Sequence, residues 1–407
     1  MLLIGPFSQI LPMNGLPLKG PLRDEQLPVI EKGGIIVTDG AIVTMGRFAS
    51  LRVQYPQCEV HFIDRPMVLL PGFIDCHTHI CFDGNRSRDY ALRIAGQSYL
   101  EIARAGGGIW DTVTKTRAAD DVTLAENTVA RANQHLREGV TTMEVKSGYG
   151  LDMVNEMKML QAIQSASLHT PATLVPTCLA AHMLPKDFNG TENDYLHWII
   201  AELLPVVQAE QLARRVDIFV EATAFTPAAA LRFLEKAMGM GFAATVHADQ
   251  FSAGGSEVAV KAGALSADHL EASTEAQIAL LAKSGTTAVV LPGASLGLGM
   301  PYAPARRLLD AGASLVIASD WNPGSAPMGD LLLQAAVMGA AEKLTMAETL
   351  AALTVRAAPA LQLRNAGHLG PGHAADLQAY PCADYREILY YQGRMKPEMV
   401  WKKGVLI

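Results

Sequence analysis

MVLLPGFIDCHTH, residues 67–79, starts as an unbroken apolar run and ends in two histidines one residue apart. Seven more apolar runs follow it: TTMEVKSG (141–148), TLVPTCLAAH (173–182), VDIFVEAT (216–223), FAATVHAD (242–249), ALSADHL (264–270), TAVVLPGA (287–294) and SLVIASD (314–320). Most are separated by helical patterns such as AALRFLEKAMGMG (229–241) and EAQIALLAKSG (275–285). Runs this short and this apolar read as strands buried on both faces, and strands alternating with helices form a parallel sheet. Eight such units predict an α/β fold closed into a (β/α)8 barrel. An open doubly wound sheet is the alternative, but no glycine-rich phosphate fingerprint follows a first strand.

The two ends of the chain have a different texture. GGIIVTDGAIVTMG (33–46) is two apolar runs joined by Asp39-Gly40, a strong hairpin signal. LGPGHAADLQAY (369–380) and PEMVWKKGVLI (397–407) are short apolar strands split by turn residues. The expected division is therefore a composite β-sandwich domain from residues 1–66 and 358–407, with a metal-dependent barrel at 67–357 inserted between its halves.

Composition removes several classes of function. Half of the 407 residues are hydrophobic and 18% are charged, which is enough apolar material for a large core. The net charge is −7 and no Lys/Arg cluster forms a stripe, which argues against nucleic acid. Five scattered cysteines fit reduced thiols and a cytoplasmic setting better than a disulfide framework. The start of the chain has no basic region followed by an apolar one, so no signal peptide is expected. The uncharged stretch Ser284 to Ala305 contains Pro292, Pro301 and Pro304, which argues against a membrane span.

In a barrel of this kind the chemistry is built at the C-terminal ends of the strands. His77 and His79 end run one, His182 run three, His247 run five, His269 run six and Asp320 run eight. Alternate residues of an extended chain share a face, so His77 and His79 can reach one ion. With His247 and Asp320 they form a set of three imidazoles and a carboxylate, which suits zinc or iron(II). Lys146 ends run two, and in some metal barrels a strand-end lysine is carbamylated and bridges two metals. Run four ends in Glu221, so one metal is expected here, with Lys146 structural or paired to an acid.

Other residues fit a substrate pocket. Arg86, on the loop after the first run, is suited to clamp a carboxylate. Tyr149 and the turn SDWNPGSAP (319–327) join it, with Asn322, Gly324 and Ser325 offering an amide, a backbone N–H and a hydroxyl. His269 is placed to polarise a carbonyl, and His182 to touch substrate. AGGGIW (105–110) reads as a lid or a tight turn. The residues alone predict a mononuclear metal hydrolase acting on a small anionic molecule.

The motifs PGFIDCHTHICFDGNR, QSYLEIARAGGGI, TRAA, EGVTTMEVKSGYGLD, LAAH, VHADQ, GALSADHLE, VVLPGAS and SDWNPGSAP span residues 71 to 327. In order and spacing they resemble the imidazolonepropionases, a family of the amidohydrolase superfamily. The resemblance implies hydrolysis of the cyclic amide C–N bond of 4-imidazolone-5-propanoate to N-formimidoyl-L-glutamate, in histidine degradation. It implies Zn2+ or Fe2+/Fe3+ at His77, His79, His247 and Asp320, and catalytic duties for Asp320, His269 and Gln250. It places substrate contacts at Arg86, Tyr99, Tyr149, His182, Asn322, Gly324 and Ser325, and it implies a homodimer. Gln250 is no carboxylate base, so that duty moves to Asp320 and His269. Two departures stand out. ASLGLGMPYAPARRLL (294–309) replaces an aromatic-rich segment of many members, and Trp321 is bulkier than some family choices. The rival reading is another mononuclear amidohydrolase acting on a small carboxylate-bearing cyclic amide or amidine.

Overall fold

The computed structural model describes residues 1–97, 101–102 and 105–407. Its centre is an eight-stranded parallel sheet in strict chain order. The strands are β6 (Phe73–Asp75), β7 (Val140–Lys146), β8 (Thr173–Ala181), β9 (Arg215–Val220), β10 (Ala243–Ala248), β11 (Ser266–His269), β12 (Thr287–Val290) and β13 (Leu315–Ile317). Each falls inside, or within one residue of, one of the eight apolar runs. Apart from the half-buried start of β8 and Ala243, their residues are buried, because helices cover the outer face and neighbouring strands fill the inner one.

The ring closes just beyond the strands. β6 and β13 share no ladder, but Thr78 and Trp321 form a parallel bridge. His79 N–H donates to the Trp321 carbonyl and Asp320 N–H to the His77 carbonyl, each at 3.0 Å. Asp75 Oδ1 accepts from Ser319 N–H at 3.1 Å. The last hydrogen bonds of the barrel thus run through the segments that carry His77, His79 and Asp320.

The connecting helices begin where short polar side chains cap them. Asp120 accepts from Thr123 N–H ahead of helix Asp121–Arg137, and Asp152 from Asn155 N–H ahead of helix Met153–His169, both at 2.8 Å. Ser284 to Ala305 is divided among β12, the short helix Pro292–Leu298 and a loop. No helix of the described residues is long and apolar enough to cross a membrane.

The chain ends make a second, mixed sheet of eight strands. β1 (Leu2–Ile10), β2 (Ile30–Thr38), β3 (Ala41–Arg47) and β4 (Glu59–Phe62) come from the start. β14 (Leu377–Tyr380), β15 (Met399–Lys402) and β16 (Val405–Leu406) come from the end. Asp39 and Gly40 both take positive φ, 49° and 79°, between partners Thr38 and Ala41, the two-residue hairpin their sequence predicts. β1 changes neighbour along its length, pairing β4 through Leu2–Gly5 and β5 (Val68–Pro71) through Gln9–Ile10. A register break between Ile4 and Phe7 separates the two pairings, the kind of switch by which sandwiches turn a corner.

The apolar run 67–75, expected as one strand, is two. Val68–Pro71 pairs with β1 and β14 in the second sheet, and Phe73–Asp75 opens the barrel. Gly72 is the joint, and a Cβ there would lie 2.3 Å from the Thr141 side chain. Only glycine lets the chain pass from one sheet to the other against β7. The N-terminal segment also packs inward, with Leu11, Met13, Leu16 and Leu22 in the same apolar cluster as the barrel.

Candidate active site

The strand-end histidines converge on one point. His79 Nε2 lies 3.3 Å from His77 Nε2 and 3.3 Å from His247 Nε2. Asp320 Oδ1 is 3.5 Å from His77 Nε2 and 3.4 Å from His79 Nε2. Two of the imidazoles are held from behind. His77 Nδ1 meets Asp268 Oδ2 at 2.6 Å, and His247 Nδ1 lies 3.0 Å from Asp217 Oδ2. A carboxylate behind each ring holds a proton on Nδ1 and aims Nε2 inward.

Among the described residues, His77, His79 and His247 are the one group of side chains whose spacing suits a metal ion. The donor chemistry fits one. Nitrogen lone pairs 3.3 Å apart repel unless a cation or proton lies among them, and Asp320 adds a fourth donor. The charges around the cluster act unevenly on its members. Burial and Lys146 oppose a charge on His77, yet its hydrogen bonds to Asp268 and Asp320 win and push its pKa up to about 9. Burial holds His79 down to about 3. Burial works against an ionised Asp320 too, but its contacts with His77 and His79 keep its carboxyl well below the usual range.

Lys146 is fully buried, and its Nζ lies 2.7 Å from both Glu144 Oε1 and Asp217 Oδ2. Burial disfavours the ammonium, but Asp217 and Glu144 outweigh it and raise the pKa above its ordinary value. A lysine held in this double ion pair supplies charge balance. It is not free to be carbamylated, in line with a single-ion site.

The candidate metal-binding cluster forms the floor of a solvent-open pocket of about 680 Å³. Its walls bring together most of the residues singled out by sequence. His79, His247, His269 and Asp320 lie at the base, and Arg86, Tyr149 and His182 line the sides with Gln250, Asn322 and Ser325. His77 lies just beneath, fully buried. Tyr99 lies outside the described residues. Phe219, Phe251 and Leu298 add apolar wall that sequence reasoning did not single out.

Individual side chains are oriented by specific partners. His182 Nδ1 donates to the Gly148 carbonyl at 2.9 Å, which leaves Nε2 as an acceptor. Burial lowers the His182 pKa to about 4, so the ring is neutral at physiological pH. His269 Nδ1 is 3.7 Å from Glu271 Oε2, and Glu271 Oε1 accepts from Ser295 Oγ at 2.8 Å. Glu221, at the end of β9, accepts from the N–H groups of Phe251 and Ser252, fixing the loop just after Gln250. His269 and Asp320 take φ of 88° and 49°, backbone that costs an L-residue about 1–3 kcal/mol and that clusters at functional sites.

The 319–327 turn departs from expectation in one respect. Asn322 Oδ1 accepts from the N–H groups of Gly324 and Ser325 at 2.7 and 2.8 Å, so the Gly324 N–H, expected to face a ligand, is already engaged. The glycine instead makes room. A Cβ on Gly324 would sit 1.1 Å from Arg86 Nη2, so the guanidinium packs flat against this turn. Arg86 Nε is buried and has no hydrogen-bond partner among the described residues.

The two departures from the family pattern are also absorbed locally. Gly297 abuts the turn, and a Cβ there would lie 1.7 Å from the Ser325 carbonyl oxygen, so segment 294–309 is a pocket wall pressed against residue 325. Trp321 finds its space over Gly329, whose Cβ would stand 2.3 Å from the indole. AGGGIW is a tight turn. Gly108 N–H donates to Asp89 Oδ2 at 2.8 Å, and Gly106 and Gly108 take φ of 88° and 78°.

A family model described as the amidohydrolase family matches residues 68–407. An imidazolonepropionase of Myxococcus xanthus is 44% identical over 336 residues, 82% of this chain and 80% of that protein. One from Symbiobacterium thermophilum is 40% identical over 412 residues, 100% of this chain and 97% of that protein. Among solved structures, atrazine chlorohydrolase from Arthrobacter aurescens, complexed with zinc, superposes with a TM-score of 0.73 at 18% identity, covering 100% of this chain and 95% of that one. An adenosine deaminase from Xanthomonas campestris with bound zinc gives 0.69 at 19%, covering 100% and 92%. At these identities the structural matches establish the fold alone.

Proposed function

Because the chain belongs to the amidohydrolase family and, within it, to the imidazolonepropionases, we infer that it hydrolyses 4-imidazolone-5-propanoate to N-formimidoyl-L-glutamate. It is a hydrolase of carbon–nitrogen bonds in cyclic amides. One observation carries the reading: a cation-demanding cluster of three imidazoles and Asp320 shares a pocket with the guanidinium of Arg86. The cluster suits hydrolysis of a carbonyl, and the guanidinium suits a substrate that ends in a carboxylate.

His77, His79, His247 and Asp320 would hold one divalent ion, zinc or iron(II), which supplies Lewis acidity to the ring carbonyl and acidity to a water. Everything else falls to the chain. Arg86 takes the propionate in a charge-assisted, two-pronged contact and so fixes which end of the ring reaches the floor. His182 Nε2, an acceptor by virtue of the Gly148 bond, takes a ring N–H, and Tyr149 packs beside it with its ring 5.4 Å from that of His182. Asn322 and Ser325 border the carbonyl side. Asp320, held ionised, takes the proton of the attacking water at Oδ. His269 hydrogen-bonds the carbonyl oxygen as charge builds there. The amide C–N bond then breaks. The proton passes from Asp320 or His269 to the departing nitrogen, and the former carbonyl carbon leaves as a carboxylate. Gln250, an amide, orients water and carries no proton. The five free, buried cysteines support a reducing, cytoplasmic setting, and the family resemblance supports a homodimer, which sedimentation would check.

The test is loss of imidazolone absorbance with freshly made substrate. Turnover by metal-loaded protein is expected. No turnover would overturn the substrate assignment and leave the rival, another small carboxylate-bearing ring.

A further inference from the structure

Glu156 is fully buried at the start of helix Met153–His169, and no step of the reaction uses it. Its Oε1 accepts three backbone N–H groups, from Gly148 at 3.1 Å, Gly150 at 2.8 Å and Leu151 at 2.9 Å. Oε2 lies 3.2 Å from the same Gly148 nitrogen, and Ser147 adds a side-chain hydrogen bond. The segment it gathers is KSGYGL, which leaves β7 and enters the pocket. That segment does not hold this shape by itself. Gly148 and Leu151 sit at φ of 105° and 59°, and a Cβ on Gly150 would be 2.3 Å from the Glu156 nitrogen. A buried carboxyl group collecting several N–H groups is the acceptor that lets such a turn persist.

Two pocket residues depend on this turn. Tyr149 is carried at its centre. His182 is held through Gly148, whose N–H binds Glu156 while its carbonyl accepts from His182 Nδ1. One residue thus links the carboxylate to the tautomer and direction of the imidazole.

We propose that Glu156 is a positioning residue for substrate recognition, setting Tyr149 and, through Gly148, the accepting nitrogen of His182. It touches no reacting atom and is remote from the metal cluster in its contacts, so it acts on binding. The proposal rests on the reading of Tyr149 and His182 as substrate contacts, and the experiment separates the two.

Steady-state kinetics, metal content and thermal midpoint are measured for Glu156→Ala, Glu156→Gln, Tyr149→Phe, His182→Asn and the Glu156→Ala/His182→Asn double variant. Losing the hydrogen bonds that fix the turn should raise KM on the order of tenfold in Glu156→Ala, with kcat changed by less than about threefold. Metal content should stay full. Glu156→Gln keeps one accepting oxygen and the same shape; it should give a smaller rise in KM, and it carries the test if the alanine variant does not fold. In the double variant KM should rise no further than in the worse single one, because both changes break one connection. Effects that multiply, or a lowered midpoint with unchanged KM, would show Glu156 to be merely structural and overturn the proposal. Unchanged KM in Tyr149→Phe and His182→Asn would overturn the reading of the contacts, and the proposal with it.

Discussion

Lys146 Nζ and His247 Nδ1 are joined by a single oxygen. Asp217 Oδ2 lies 2.7 Å from the one and 3.0 Å from the other, and all three side chains are buried. Removing the ammonium leaves Glu144 and Asp217 as uncompensated charges behind His247, an imidazole proposed to bind metal. Lys146→Met should therefore cost about 3–5 kcal/mol of stability, the usual loss when one partner of a buried pair is deleted. It should also weaken metal retention about 10–100-fold, the usual cost of losing the group behind a ligand. Metal analysis after dialysis against a graded chelator checks this. Wild-type retention by the variant would mean the ion pair serves the barrel and not the metal.

Stripping the metal should abolish turnover, and adding back zinc or iron(II) should restore it. It should also lower the melting temperature, because an ion that binds only the folded chain stabilises it in proportion to its affinity. Activity surviving an exhaustive chelation, confirmed by metal analysis, would exclude the assigned role of His77, His79 and His247. Comparing the two ions at equal occupancy decides which one sustains the faster turnover.

Arg86→Ala should raise KM about a hundredfold with a smaller change in kcat, because a charge-assisted contact to the far end of the substrate is lost. An imidazolone lacking the propionate provides the control. Wild type and variant should handle it equally poorly, and a variant still worse on that compound would place Arg86 at the chemistry.

Gly324→Ala puts a methyl group within 1.1 Å of Arg86 Nη2 in the present geometry. The guanidinium must move, so the variant should reproduce the KM defect of Arg86→Ala while keeping its metal. A normal KM would show that the arginine has a second productive pose.

His182 provides a pH signature. Its imidazole takes a proton near 6.5 when unfolded but, buried, only near about 4 when folded. Between those values the unfolded chain binds more protons, so acidification favours unfolding and stability rises with pH. The loss from pH 7.5 to 5 is on the order of 2 kcal/mol from this group. In metal-loaded His182→Asn that part of the loss should vanish. Melting curves at the two pH values would show it, and an equal drop in both proteins would mean the ring is protonated in the fold.

Much of this candidate site is legible in the sequence, because barrel strands advertise themselves as buried apolar runs and the candidate residues stand at their ends. His77, His79, His247 and Asp320 are polar exceptions that follow apolar text. The residues behind them stay hidden. Asp217 and Asp268 sit inside their runs and read as blemishes in a strand, since a pairing across 191 positions, as between His77 and Asp268, leaves no local trace. Glu144 and Lys146 carry a hint that is easily passed over, because two opposite charges at period two share one face. The split at Gly72 is invisible for a different reason. Both halves of run 67–75 are equally apolar, and only the neighbours tell which sheet each joins. Gly324 looks like a turn residue with a free N–H, and its steric service to Arg86 needs the fold to be seen.

The path of the chain through β5 has a consequence for synthesis. Val68–Pro71 is covered on one side by β1 and on the other by β14, and Gln378 donates to the Pro71 carbonyl across 307 positions. At roughly 5–20 residues per second, one apolar edge waits roughly 15–60 s for its partner to leave the ribosome. During that time it is an open template for other strands. We expect nascent chains stopped before residue 377 to be held by chaperones or to aggregate, and full-length chains to be released. Soluble, chaperone-free chains of the shorter length would show that the barrel shelters this edge by itself.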